Sequence, residues 1–237
     1  MTTITTIGFD ADDTLWQNEA FFRLTQDRFA QLLADFAEPD HLQQRLLAAE
    51  RRNLGRYGFG VKGFVLSMIE TAIEVTDSRV PAAAIAEIIA AGRDLLEHPI
   101  ELLPHAEAAV RSLAVDHRVL LITKGDLLDQ ERKLAQSGLG ELFHGVEIVS
   151  DKTAGAYARI FARHGQGAAR ALMVGNSLKS DVLPVIEAGG WGVHVPHGMT
   201  WALERAEPPT NHPRFHALSD LGGLRNLLTR LHSSTTV

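Results

Sequence analysis

The spacing of hydrophobic positions changes twice along the chain. Residues 4–9 form a short apolar run rich in β-branched side chains, which predicts a strand that ends at Asp10. Over roughly the next eighty residues, apolar positions recur every three or four residues, as is typical of amphipathic helices. This stretch predicts four helices and no strand, with the helices at about 21–36, 40–53, 62–76 and 81–96.

From Pro99 onward, helical and strand patterns alternate. Strands are predicted at 118–123, 146–149, 171–174 and 192–195, and helices at 105–114, 127–137, 153–164, 179–188 and 220–231. The alternation predicts an α/β fold with a doubly wound, Rossmann-like parallel sheet built from residues 1–16 and 99–237. Because loops in such folds are normally only a few residues long, residues 17–98 are predicted to form an inserted helical domain.

Composition excludes several classes of function. The 237 residues include 23 lysines and arginines against 29 acidic residues, and a net charge of −6 does not favour nucleic acid as a partner. The absence of cysteine excludes disulfides, thiolate metal sites and cysteine nucleophiles. The first residues do not resemble a signal peptide, and no apolar run is long enough to span a membrane. We therefore expect a cytoplasmic protein with no membrane partner.

Polar side chains follow four of the predicted strands at their carboxyl ends. In chain order they are Asp10 and Asp12, then Thr123-Lys124-Gly125, then Asp151-Lys152, then Gly175-Asn176-Ser177 with Asp181 close behind. Parallel strands end at one edge of a sheet, where α/β proteins bind ligands, so these groups are expected to converge. Each also has a simpler interpretation, since aspartate, threonine and asparagine often cap helices and lysines often lie on the surface.

Taken together, these residues suit one chemistry. Carboxylate and amide oxygens without histidine or cysteine favour Mg²⁺ over zinc. A carboxylate can attack phosphorus while a lysine, a threonine hydroxyl and loop amides bind the phosphoryl oxygens. A second carboxylate two residues further on can protonate the leaving oxygen and later deprotonate water. The pattern predicts phosphoryl transfer through an aspartyl-phosphate.

The motifs FDADDTL, LLITKG, SDK and VGNSLKSD occur in this order along nearly the whole chain. With them the chain resembles a haloacid dehalogenase (HAD) superfamily hydrolase of the phosphatase branch, with a helical (C1-type) cap inserted after the first strand. The resemblance implies that Asp10 is the nucleophile and Asp12 the acid/base. It also implies that Thr123 donates a hydrogen bond to the phosphoryl group and that Lys152 is the cation that balances its charge. The resemblance further implies that Mg²⁺ is bound by Asp10, the Asp12 carbonyl, and Asn176 or Asp181. Thr14 in the loop after the first strand, and Lys124 and Gly125 at the end of the second, are candidates for binding the substrate.

Two positions bear on the reaction that this resemblance implies. Dehalogenases of the superfamily lack an aspartate at the position of Asp12, so its presence favours hydrolysis of a phosphate ester, with a small phosphorylated metabolite as substrate. Asn176 stands where the family more often has aspartate, which is expected to weaken Mg²⁺ binding or shift it to Asp181. A phosphomutase and an inactive phosphate-binding module are the alternatives. The presence of Asp10, Asp12 and Lys152 together argues against the inactive module.

Residues 58–63, Gly-Phe-Gly-Val-Lys-Gly, match the G-x-G-x-x-G pattern of dinucleotide-binding loops. They follow a charged helix instead of a strand, so the βαβ unit that gives this pattern its function is missing. The segment is either a flexible turn between two helices or a loop that selects substrate. In the second case, Arg56, Tyr57 and Lys62 are candidates for contacting the leaving group of the substrate.

Overall fold

A six-stranded sheet, parallel throughout, organises the larger part of the molecule. The computed structural model describes residues 3–233, so residues 1–2 and 234–237 of the predicted core domain lie outside it. The strands are β1 (Thr6–Phe9), β2 (Arg118–Lys124), β3 (Gly145–Val149), β4 (Ala171–Gly175), β5 (Trp191–His194) and β6 (Phe215–Ala217), in the spatial order β3-β2-β1-β4-β5-β6. The first strand is therefore central, between the second and the fourth.

Nine α-helices accompany the sheet within the described residues: α1 (Glu19–Leu32), α2 (Pro39–Tyr57), α3 (Val61–Val75), α4 (Ala82–Glu97), α5 (Ala106–Leu113), α6 (Leu127–Ser137), α7 (Ala154–His164), α8 (Leu183–Glu187) and α9 (Leu224–Ser233). Alternate residues of β2 pack into different apolar clusters. Leu121 packs in a cluster with α5 and α9, whereas Leu120 packs in one with α7 and α8. Helices thus cover both faces of the sheet, which confirms the doubly wound α/β prediction.

The chain divides into two compact units. The sheet unit comprises the described residues up to Glu19, then Ile100–Lys124, then those from Gln130 onward. The helical unit comprises Ala20–Pro99 together with Gly125–Asp129, a segment that the sequence pattern does not assign to it.

An apolar cluster of its own holds the helical unit together. Its buried members include Phe29 of α1, Leu46 of α2, Met68 of α3 and Ile88 of α4, one from each helix. Buried apolar side chains at helical spacing are the main stabilising contribution in such a bundle. None of the described helices is both long and apolar enough to cross a lipid bilayer.

Several observed elements differ from the sequence prediction, among them α2, which runs on to Tyr57 instead of ending near residue 53, and α9, which begins at Leu224 instead of near residue 220. The first helix ends at Leu32 instead of near residue 36. The helix predicted over 179–188 is a π-helical turn, Leu178–Val182, followed by the short α8. Pro184 has no N–H to donate to the Ser180 carbonyl, which accepts a hydrogen bond from the Tyr157 hydroxyl instead, at 2.9 Å. The edge strand β6 was not predicted, because three residues are too short to show a period.

Candidate active site

Asp10 lies at the carboxyl end of the central strand and is buried. Its backbone N–H donates to the Val174 carbonyl at 2.9 Å, which continues the pairing of β1 with β4. Its carboxylate accepts hydrogen bonds from the Lys152 ammonium and, at 3.0 Å, from the Thr14 hydroxyl. Lys152 also donates to Asp181 at 2.7 Å. Two buried carboxylates therefore share one buried ammonium.

The loops that follow β1 and β4 meet through Thr14 and Asn176. The Asn176 backbone N–H donates to the Thr14 hydroxyl at 3.1 Å, and the Asn176 side-chain oxygen lies 3.3 Å from the same hydroxyl. We call Asp10, Thr14, Lys152, Asn176 and Asp181 the Asp10 pocket. The structure thus brings together four residues that the sequence predicted to converge, and Thr14 joins them.

Gly175 makes room for the second carboxylate of the pocket. A Cβ at this position would lie 2.1 Å from Asp181 Oδ2, far inside any allowed contact. The same oxygen accepts the backbone N–H of Ser177 at 2.9 Å. The glycine at the end of β4 is therefore required by space, and the turn after it fixes the direction of Asp181.

The Asp10 pocket holds more negative than positive charge. The side chains of Lys152, Asp10 and Asp181 are 2%, 10% and 1% exposed. Burial and the charge of Asp181 raise the pKa of Asp10, and Lys152 offsets only part of this rise. Burial would lower the pKa of Lys152, but the two carboxylates raise it above its ordinary value, so the ammonium stays charged.

Asp12 points into a separate set of contacts. Its carboxylate accepts hydrogen bonds from Trp16 Nε1 at 2.7 Å, Gln130 Nε2 at 2.8 Å and Lys133 Nζ at 3.0 Å. Lys133 also donates to the Asn18 side-chain oxygen at 2.8 Å. We call these five residues the Asp12 pocket.

The contacts of Asp12 decide its protonation state. Burial alone would raise the pKa of the Asp12 carboxyl, but the charge of Lys133 and the hydrogen bonds from Gln130, Lys133 and Trp16 outweigh burial and hold the pKa below its ordinary value. Asp12 is therefore a carboxylate at neutral pH, with every donor directed at the charged form.

The neighbouring Asp13 serves the start of α1. Its backbone has a positive φ of 59°, and its carboxylate accepts the backbone N–H groups of Asn18 and Glu19, at 2.9 Å and 3.0 Å. His197 Nδ1 lies 3.6 Å from the same carboxylate. Of the three aspartates in the loop, Asp13 therefore acts as a cap at the entry to the first helix.

The residues at the end of β2 have different surroundings. Thr123 is buried at 1% exposure. The Lys124 ammonium donates to Ser180 Oγ at 2.7 Å and to Glu204 Oε1 at 2.6 Å. Gly125 has a φ of 148° and belongs to the helical unit. The predicted substrate contacts of Lys124 and Gly125 stay predictions.

Three residues of the helical unit were predicted to contact the leaving group. Arg56 is exposed near the end of α2, the Tyr57 hydroxyl donates to Glu70 at 3.4 Å, and Lys62 forms an exposed ion pair with Asp126 at 2.8 Å. Their role stays a prediction.

The loop next to these residues is a turn between two helices. Its Gly58 and Gly60 have positive φ angles of 73° and 112°, which other residues rarely adopt. A Cβ on Gly60 would lie 3.1 Å from the Asp126 backbone nitrogen, so the loop packs against the segment that contains Asp126.

Sequence reasoning missed Gln130, Lys133 and Glu204. Gln130 and Lys133 lie three positions apart on α6 and so share one face, which was the only available signal. Glu204 ends a short 3₁₀ turn, Ala202–Glu204, in a stretch with no hydrophobic period. Charged residues in such places normally face solvent, so only the structure reveals their buried contacts.

The candidate donors for a metal ion are mostly oxygen atoms of the Asp10 pocket. Within residues 3–233, no group of three or more histidine, cysteine, aspartate or glutamate side chains is arranged as a metal site. The predicted set has a different make-up, since it combines the Asp10 carboxylate and the Asp12 backbone carbonyl with the Asn176 amide or the Asp181 carboxylate. Hard oxygen donors around excess negative charge fit a hard divalent cation.

Comparisons with known proteins identify the family of the chain. The family model described as haloacid dehalogenase-like hydrolase matches residues 4–189. A haloacid dehalogenase-like family hydrolase from Xanthomonas campestris is 42% identical, with a TM-score of 0.88 over 98% of this chain and 93% of that one. A search of curated proteins gives no match.

More distant solved structures share the fold alone. The putative HAD hydrolase YfnB from Bacillus subtilis, described as bound to magnesium, is 18% identical with a TM-score of 0.68, over 96% of this chain and 99% of that one. A predicted phosphoglycolate phosphatase from Haemophilus somnus is 16% identical with a TM-score of 0.66, over the same shares. Haloacid dehalogenases also occur among the matches. Since the family model spans most of the sequence, this chain belongs to the haloacid dehalogenase-like hydrolases.

Proposed function

We propose that this hydrolase is a Mg²⁺-dependent phosphatase that cleaves a small phosphorylated metabolite through an aspartyl-phosphate. The observation that supports this reaction is the presence of Asp12 two residues after Asp10, in a pocket of its own. Hydrolysis of a phosphate ester needs a nucleophile and a separate group that moves protons. A halide leaving group needs no proton, so a dehalogenase would not need the second carboxylate as an acid.

Asp10 is the proposed nucleophile. Thr14 and Lys152 each donate to one oxygen of its carboxylate and fix its orientation at the end of β1. When Asp10 attacks phosphorus, an Oδ–P bond forms and the bond from phosphorus to the leaving oxygen breaks. Lys152 keeps its charge throughout and stabilises the negative charge of the transferring phosphoryl group. Thr123 is the proposed hydrogen-bond donor to the same phosphoryl group.

Asp12 moves the protons in both half-reactions. In the first, the carboxyl form of Asp12, which the second half-reaction of the preceding turnover regenerates, gives its proton to the leaving alkoxide. In the second, its carboxylate takes a proton from the water that attacks the aspartyl-phosphate and releases Asp10 and phosphate. The contact with Lys133 favours the carboxylate, which is the form that the second half-reaction needs.

The excess negative charge of the Asp10 pocket supports the Mg²⁺ part of the proposal. Asp10, Asp181, Asn176 and the Asp12 carbonyl would hold the ion, and when bound it supplies positive charge against the phosphoryl oxygens. The magnesium bound to YfnB, a protein of the same fold, also supports this choice of ion. We further propose that the helical unit is the C1-type cap that selects the leaving group.

Release of phosphate from p-nitrophenyl phosphate and from a panel of sugar phosphates, nucleotides and phosphoglycolate tests the proposal. We expect turnover with Mg²⁺, none with EDTA, and a loss of about 10³-fold or more in kcat for Asp10→Asn. Halide release from a 2-haloacid, with no phosphate release from any ester, would contradict the proposal.

Asp12→Asn separates its two roles. An aryl leaving oxygen is weakly basic and needs no proton, so the variant should still form the aspartyl-phosphate from p-nitrophenyl phosphate. It should then hydrolyse that intermediate slowly, and a denaturing gel of enzyme labelled with ³²P should show it accumulating. With an alkyl phosphate, the first half-reaction should fail as well and little label should be trapped.

A further inference from the structure

The segment between β5 and β6 contacts residues that follow three other strands of the sheet. His197 lies 3.1 Å from the Gln17 side-chain oxygen, in the loop after β1. Glu204 contacts Lys124 at the end of β2, and also Ser177, which follows β4. This segment has no hydrophobic period and none of its residues entered the proposed chemistry.

Glu204 is the centre of these contacts. Its side chain is 14% exposed, and so is that of Lys124, which donates to Oε1 at 2.6 Å. Its other oxygen, Oε2, accepts from Ser177 Oγ at 2.6 Å and from the Ser180 hydroxyl. Burial would raise the pKa of Glu204, but the charge of Lys124 and these hydrogen bonds lower it, so the carboxylate is charged and saturated with donors.

The two serines that Glu204 holds belong to the turn that carries Asp181. The Ser177 backbone N–H donates to Asp181 Oδ2 at 2.9 Å, and the Asp181 N–H donates back to the Ser177 carbonyl at 2.9 Å. The Ser180 N–H donates to Ser177 Oγ at 3.0 Å. A second tie runs from the Lys179 ammonium to the Leu203 carbonyl at 2.7 Å. The position of Asp181 therefore depends on the hydroxyl groups of Ser177 and Ser180, which both donate to Glu204.

Lys124 completes the arrangement on the other side. It directly follows Thr123, and its ammonium reaches both Glu204 and the Ser180 hydroxyl. The ion pair is mostly buried, so it holds its geometry better than a surface pair. Glu204 thus connects the end of β2 to the turn after β4.

We propose that Glu204 is a positioning residue that holds Asp181 and the end of β2 in place relative to Asp10. It acts through Ser177, Ser180 and Lys124 and does not itself touch the reacting atoms. The kinetic part of this inference rests on the proposed phosphatase function, whereas its structural part does not.

The test uses Glu204→Gln, which keeps the shape of the side chain and removes its charge. In a crystal structure of the variant, we expect the contact between Lys152 Nζ and Asp181 Oδ1, 2.7 Å here, to lengthen beyond hydrogen-bond distance. With p-nitrophenyl phosphate we expect kcat to fall about 10-fold while KM changes less than about 2-fold, because positioning errors act on the chemical step.

Two further variants separate positioning from simple stability. Lys124→Met in the Glu204→Gln background removes the ammonium that has lost the charge of Glu204, so the double variant should lose less activity than the product of the two single losses. Glu207→Gln changes an exposed glutamate of the same segment and should leave kcat unchanged.

The outcomes distinguish this inference from the proposed function. If the wild-type protein hydrolyses no phosphate ester but Asp181 moves in the variant, the phosphatase proposal fails and the positioning role stands. If Asp181 does not move, or if an active enzyme keeps its kcat in Glu204→Gln, the positioning role is overturned.

Discussion

The Asp10 pocket and the Asp12 pocket contain carboxylates of one loop, two residues apart, in opposite electrostatic settings. Burial alone would raise the pKa of both carboxyls, and Asp181 raises that of Asp10 further. Asp10 shares Lys152 with Asp181, whereas Asp12 has Lys133 and two neutral donors. The net pKa shifts therefore run in opposite directions. The number of cations per carboxylate, more than burial, decides which of the two carboxyls is stabilised in its ionised form.

This difference supports separate roles for the two residues. A pair of titratable groups whose pKa values are pushed apart by their surroundings is the usual arrangement for a site that needs two kinds of carboxyl chemistry. The Asp10 pocket is short of positive charge and so is suited to bind a cation. The Asp12 pocket is balanced and keeps Asp12 in the carboxylate form.

Removal of the shared cation should have the largest effect. Lys152→Met leaves Asp10 and Asp181 buried without a cation, and we expect a loss of about 3–5 kcal/mol in the free energy of unfolding at pH 7, measured with urea. The folded-state pKa of Asp10 is already raised by burial and rises further when Lys152, which lowers it, is removed, so protonation of Asp10 favours folding. The deficit relative to wild type should therefore shrink as the pH is lowered from 7 to 5.

Lys152→Arg is the control, because it keeps the positive charge and should recover part of the stability. A deficit for Lys152→Met below about 1 kcal/mol, the range of exposed ion pairs, would show that the Asp10 pocket is hydrated and that the contrast between the pockets is not one of charge balance.

Gly175→Ala should have the next largest effect, and it too acts on the Asp10 pocket alone. The added Cβ would lie 2.1 Å from Asp181 Oδ2, and the carboxylate is held from two sides and cannot move without cost. We expect a loss of about 3 kcal/mol in the free energy of unfolding, at the upper end of the cost of overpacking. Thermal and urea unfolding measure it.

Gly55→Ala is the matched control for this substitution. Gly55 lies inside α2, and an added Cβ there meets nothing within 4 Å. Alanine favours the helix, so this variant should gain up to about 1 kcal/mol. Equal stability of the two alanine variants would mean that Asp181 rearranges freely and that its place in the Asp10 pocket is not fixed.

The sequence contained enough to predict the sheet and the meeting of its strand ends. Apolar runs with polar ends, separated by helical periods, predict a parallel sheet whose carboxyl edge collects Asp10, Lys152 and Asp181. The structure places these three residues in contact. Their catalytic and metal-binding roles stay predictions.

The partners of these residues could not be predicted in the same way. Lys133 is 121 positions from Asp12, and Glu204 is 80 positions from Lys124. No local pattern records contacts over such separations, because they depend on how helices and loops pack on the finished sheet. The π-helical turn at Leu178–Val182 was also missed, since it depends on the Tyr157 hydroxyl donating to a carbonyl freed by Pro184.

Lys133→Met tests the Asp12 pocket, and we expect a smaller loss of about 1–2 kcal/mol at pH 7, because two neutral donors remain. The pKa of Asp12 is lowered in the folded protein, so the stability that it contributes is present above its unfolded value and is lost as the pH falls. The gap between wild type and variant should therefore narrow from pH 7 towards pH 3, as followed by urea unfolding. A gap that widens on acidification would show that Lys133 does not stabilise the Asp12 carboxylate.

The smallest effect is expected at the exposed ion pair of the helical unit, which gives the comparison its baseline. The side chains of Lys62 and Asp126 are 60% and 23% exposed, and Lys62 Nζ lies 2.8 Å from Asp126 Oδ2. The hydrogen bond from Lys62 is the main cause of the lowered pKa of Asp126. Water and salt screen such a pair, so Lys62→Met should change the free energy of unfolding by less than about 1 kcal/mol, and less still in 1 M NaCl. Lys133→Met should keep most of its effect in the same salt, because the side chain of Lys133 is only 10% exposed, against 60% for that of Lys62. If the two losses were equal and equally sensitive to salt, the Asp12 pocket would be an ordinary surface ion pair, and its lysine would not set the protonation of Asp12.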